Sequence, residues 1–142
     1  MRPPLIVLIT FVLLCGCIED NLVVSSTDEY DQWKSMEIHN YTIDQTRSCF
    51  CVDGGQPMRL TVRDDTLNMV VRISDGTLLS SDASRWYRTI DSLFGHIRNR
   101  GGDSLIVRYN AQYGYPEHLD INPQWHPVDG GVLYTTSNLR IP

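Results

Sequence analysis

The sequence predicts an α+β fold: an antiparallel sheet with two helices packed on one face, arranged as two αβββ-like halves. Three observations carry that prediction. "MRLTVRD" alternates Met58, Leu60 and Val62 against Arg59, Thr61 and Arg63, the period of a strand with one wet face. Ile90, Leu93, Phe94 and Ile97 recur at the spacing of one helical face. The candidate elements run helix, three strands, helix, three strands, although the halves share too little sequence to read as a repeat.

The chain opens MRPPLIVLITFVLLCGC. Arg2 precedes an apolar run from Leu5 to Leu14, about half the roughly 20 residues that span a bilayer and the length of a signal-peptide core. Leu14-Cys15-Gly16-Cys17 resembles a bacterial lipobox. That resemblance implies cleavage after Gly16 and acylation of Cys17. It divides the chain into a leader at 1–16, a lipidated tether at 17–26 and a single domain at 27–142. An ordinary secretory signal and a retained short anchor are the competing readings. Ile18 and Glu19 do not supply the Asp that holds such proteins at an inner membrane. The expected location is the cell envelope, at the outer membrane facing the periplasm if the envelope is Gram-negative.

The net charge is −5, and one unit more negative once Arg2 leaves with the leader. That balance argues against nucleic acid as a partner, because displacing phosphate counterions takes a basic face. It also provides no polybasic patch for anionic lipid. Membrane attachment falls to the acyl chains on Cys17, each buried methylene contributing about 0.8 kcal/mol.

Along the domain, Ser26-Thr27-Asp28-Glu29 matches a capping box, and Tyr30, Trp33 and Met36 follow at helical spacing, predicting a helix over 27–37. "HNYTIDQTRS" then alternates Tyr41, Ile43 and Gln45 against Asn40, Thr42 and Asp44. "GGQP" and "DDT" turn the chain on either side of "MRLTVRD", and "LNMVVRIS" makes a third strand. "DGTLLSSDASRWY" reads as a polar connection. Thr89 caps the second helix, Arg98 and Arg100 suit its C-terminal dipole, and Gly101-Gly102 stops it. "SLIVRYN", "EHLDIN" and "GVLYTTS" complete the strands.

"NYTIDQTRSCFC", "TIDSLF" and "VRYNAQYGYPEHLDIN" together resemble the DUF6174 family of bacterial secreted and lipoprotein domains, over roughly residues 33–139. The resemblance implies a fold and no activity. Aspartates are common in the family where this chain has Asn110 and Asn122, and an acidic run where it has only Asp129. Any cation held by those carboxylates in relatives would lose at least two of them here. No metal site and no cofactor is expected.

Cys49 and Cys51, one residue apart, admit three readings. With His39 or Met58 they could hold a soft ion such as Cu(I), but zinc takes four ligands, and His39, His96, His118 and His126 fall on different elements. Redox catalysis needs a depressed thiolate pKa; Arg47 is the one nearby cation and no helix starts here. A structural bridge needs the backbone to curl, since residues i and i+2 of a flat strand stand about 6.6 Å apart, near the upper limit for a disulfide. We read the pair as that bridge, fixing a bend and aiming Phe50, with free or intermolecular thiols as the remaining alternative.

The chain carries no Gly-x-Ser-x-Gly, phosphate loop or His-Glu-x-x-His. Asp64-Asp65 reads as turn chemistry rather than half of an acid/base pair with Asp129. Candidate binding residues are the loop aromatics: Tyr113 and Tyr115, which either face a ligand or pack on the sheet, and Trp86 and Trp125 as an exposed rim. The expected function is a non-catalytic binding module of the envelope, with an envelope protein or cell-wall component as partner. The alternative is a small metal or redox carrier, or an enzyme, centred on Cys-Phe-Cys.

Overall fold

The computed structural model describes residues 26–126 and 130–142. The leader, Cys17, the tether up to residue 25 and Asp129 lie outside them. Helix α1 spans Ser26–Ser35. Strands β1 (Tyr41–Ser48), β2 (Pro57–Arg63) and β3 (Thr66–Arg72) follow, then a short helix α2 (Ser81–Ser84) and helix α3 (Ile90–Arg98). Strands β4 (Leu105–Tyr109), β5 (Pro116–Ile121) and β6 (Val132–Arg140) complete the chain, with one 3-10 turn at Pro123–Trp125. The strands form one antiparallel sheet in the order β3-β2-β1-β6-β5-β4. The architecture is therefore α+β and mostly sheet. Among the described residues no helix is long and apolar enough to cross a membrane.

Alternation decides which face is buried. Tyr41, Ile43, Gln45 and Arg47 of β1 point one way, beside Met58, Leu60 and Val62 of β2, and all seven are buried. The helices cover that face. Trp33 of α1 meets the Tyr41 ring edge-on at 5.6 Å, and the Tyr41 hydroxyl accepts from Ile90 N of α3 at 3.0 Å. One strand residue thus touches both helices. Thr89 caps α3 as expected, its hydroxyl accepting from Ser92 N. Gln45, 1% exposed, is satisfied by a single backbone residue: its amide donates to Arg88 O and accepts from Arg88 N, both at 3.0 Å. That pair stitches β1 to the segment entering α3.

The Asp64-Asp65 turn joins β2 to β3 with both residues at positive φ, 47° and 61°, the geometry of a tight type I′ hairpin. The connection read as wholly polar contains α2. Its four residues bury no side chain, so it carries no apolar period to read.

The other sheet face holds an ionic cluster. Asp44 accepts from Arg59 at 2.7 and 3.0 Å and from Asn138 at 3.0 Å, with Arg140 at 3.7 Å. Burial pushes the Asp44 carboxyl up, but the Arg59 guanidinium and Asn138 amide outweigh it and hold the group below its ordinary value of 3.8. Asp44→Ala is expected to cost about 2 kcal/mol, less than the roughly 3–5 kcal/mol of a fully buried pair, because Arg59 is partly in water. A depressed pKa stabilises above the unfolded value and stops doing so as pH falls through the folded one. Thermal melts at neutral pH and near pH 3 check this: the wild type should lose more between them than the variant.

Candidate functional site

Where β1 ends, the chain curls. Gly54 N donates to Cys51 O at 3.1 Å, Gly55 N to Arg47 O at 2.9 Å and Gln56 N to Asp53 O at 3.1 Å. The curl is tight enough that a Cβ on Gly54 would stand 2.5 Å from the Cys49 carbonyl oxygen. It brings the Cys49 and Cys51 Cα atoms to 5.3 Å and their sulfurs into close contact, well inside the range a bridge spans. Asp53 pins the loop to β3 by accepting from Arg72 at 2.9 Å. Phe50 projects from the loop 91% exposed.

Beside this loop lies a cleft of about 760 Å³, the size of sites that take small ligands. Its walls come from the Cys49–Asp53 loop, the segment after α2, helix α3 and the end of β5. Leu93, Leu119, Ile121, Val132 and Tyr134 supply apolar lining. Trp86 and Trp125 stand at it 46% and 48% exposed, and the Trp86 carbonyl is fixed by the Tyr134 hydroxyl at 3.2 Å. The sequence-predicted residues Cys49, Cys51, Trp86 and Trp125 therefore converge.

Tyr113 and Tyr115 do not join them. Tyr115 is 3% exposed and edge-on to Trp33 at 6.5 Å, while Tyr113 stacks on it at 6.4 Å. The Asn110 side chain shapes their turn, accepting from Gln112 N and Tyr113 N, and the turn seats both rings on the core. Of the two readings given to this pair, the structure places them in packing and away from the cleft.

Polar groups reach the cleft from below. Arg47 continues the inward face of β1 and is 8% exposed, its guanidinium 5.4 Å from the Trp86 ring centre and 5.7 Å from that of Tyr87. Its one hydrogen bond of note is a long one to Val52 O at 3.4 Å. Arg47 Nε and the Tyr87 hydroxyl are both buried without a hydrogen-bond partner. Burial pushes the Tyr87 hydroxyl pKa up, against the pull of Arg47. Across the cleft, Asn122 donates to Asp103 at 2.8 Å, and His96 Nε2 stands 3.5 Å from the same carboxylate.

The sequence marks Arg47 only as a cation near the two thiols and Asn122 only as a position where relatives carry aspartate; their place in the cleft comes from the structure. The signal for Arg47 was present: a cation two positions beyond Gln45 on the buried side of an alternating strand. Asn122 and Asn110 each donate to a carboxylate, Asp103 at 2.8 Å and Glu117 at 2.7 Å, a bond an aspartate at either position would not make. Among the described residues no group of three or more His, Cys, Asp or Glu side chains converges as metal ligands.

Fold and cleft together define a small α+β domain with a single-sided helical layer and an aromatic-rimmed recess at one end. The DUF6174 profile, described as a family of unknown function, matches residues 26–141. The chain belongs to the DUF6174 family. No curated protein and no solved structure matches it.

Proposed function

We propose that this chain is a bacterial envelope lipoprotein, anchored by acyl chains on Cys17, whose domain is a non-catalytic binding module. The observation that carries the binding role is the gathering of Phe50, Trp86 and Trp125, all exposed, around one cleft. Large aromatics left in water at a concave site are where binding energy concentrates. In this reading Cys49 and Cys51 form a disulfide whose use is to hold the curl and keep Phe50 at the rim. Two αβββ halves, joined through β1 and β6, supply the platform.

The test uses full-length protein already held in lipid discs, so that its acyl chains do not carry it onto the isolated envelope fractions. Trp86→Ala combined with Trp125→Ala should weaken co-sedimentation at least about tenfold while the melting temperature holds, since both side chains are about half exposed and each hot-spot aromatic contributes roughly 2 kcal/mol or more. Undiminished binding by the folded double variant would sink the cleft as the site. Readily alkylated thiols before reduction, or a metal retained in native mass spectra, would favour the carrier reading centred on the same two sulfurs.

A further inference from the structure

We infer that the cleft takes a small amphipathic carboxylate: a flat apolar body against the aromatic rim and one carboxylate on Arg47 and Tyr87. The inference rests on the cleft being the binding site and adds the chemical class of its ligand.

Two buried donors without acceptors belong to residues that line the cleft. Arg47 and Tyr87 are 8% and 4% exposed, both line the cleft, and neither Arg47 Nε nor the Tyr87 hydroxyl has a partner. A buried donor without an acceptor costs free energy, so two of them on side chains in contact, the Arg47 guanidinium 5.7 Å from the Tyr87 ring centre, mark a place where an acceptor belongs. The guanidinium presents its donors as a planar fork, which matches the two oxygens of a carboxylate.

Charge complementarity points the same way. The chain is acidic overall, yet the Arg47 and Arg85 guanidiniums stand 5.4 and 5.0 Å from the Trp86 ring centre, and Arg88 also lines the cleft. Among the described residues no carboxylate lies within ion-pair distance of any of the three. Among the described residues the two carboxylates that line the cleft are already engaged, Asp53 by Arg72 at 2.9 Å and Asp103 by Asn122 at 2.8 Å. The apolar lining excludes a ligand that is charged throughout. A volume of about 760 Å³ suits a small molecule rather than a folded partner.

The experiment titrates the full-length protein, held in discs of zwitterionic lipid, with 4-phenylbutyrate and its neutral amide, following tryptophan fluorescence. The carboxylate should bind roughly ten- to a hundredfold more tightly than the amide. Arg47→Met should erase that preference, and Arg63→Met, on the exposed end of β2, should leave it intact. Should Arg47→Met fail to fold, Tyr87→Phe decides: it removes a hydroxyl with no partner, so the free protein melts no lower, yet carboxylate affinity falls several-fold. Equal affinity for the two probes, or a preference surviving in Arg47→Met, overturns the inference. Neither probe binding while envelope fractions still need Trp86 and Trp125 overturns it too, and leaves the binding module standing. A carboxylate preference with envelope binding indifferent to those tryptophans does the reverse.

Discussion

Trp33→Ala is expected to lower stability by roughly 3–5 kcal/mol, the cost of deleting a fully buried indole. The ring is 1% exposed and stands where three parts of the fold meet: α1 itself, Tyr41 on β1 at 5.6 Å and Tyr115 after the β4–β5 turn at 6.5 Å. Among the described residues it is also the one fully buried side chain that α1 contributes to the core, Tyr30 being only partly covered. Ten residues make a marginal helix alone, so α1 depends on this anchor. Urea unfolding should show the lower midpoint, and hydrogen exchange should show α1 losing protection before the sheet does. A loss under about 1 kcal/mol would contradict the packing described.

Gly114→Ala is expected to cost about 2–4 kcal/mol, combining a left-handed backbone with a steric clash. Gly114 has φ 75°, and an added Cβ would lie 2.7 Å from the Glu29 carbonyl oxygen and 3.1 Å from Gln32 Oε1. A helix carbonyl does not swing aside as a side chain would. The turn would have to lift from α1, taking the Tyr113 and Tyr115 rings with it. Gly101→Ala separates the two contributions, because Gly101 has φ 59° and open space around its Cα. It should cost only about 1 kcal/mol, the backbone part alone. Matching denaturation curves for the two variants would refute the contact between turn and helix.

Local pattern made much of this fold legible. The stripe Ile90, Leu93, Phe94 and Ile97 is the buried face of α3, and Thr89 is its cap. The alternation of Met58, Leu60 and Val62 is the buried face of β2. Boundaries slipped where local chemistry is ambiguous. β6 runs to Arg140, through Asn138 at φ 54°, where a residue in the left-handed region ends the readable alternation. The central pairing of the sheet was not legible, since joining β1 to β6 is a long-range choice with no trace in either segment alone. The same limit explains the site. Trp86 and Trp125 were visible as loop aromatics, but their meeting with Arg47 and the Cys49–Cys51 curl depends on that pairing.

The central position of β6 has a kinetic meaning. Thr42 on the first strand lies beside Arg140 on the last, so the middle of the sheet cannot close until β6 has left the ribosome. Before then only two separate ladders can form, β1-β2-β3 and β4-β5, each with an unpaired edge. Closure across so many residues carries a large loop entropy and makes for slow folding. Loss of the last nine residues of sheet would open the molecule along its midline rather than trim its border.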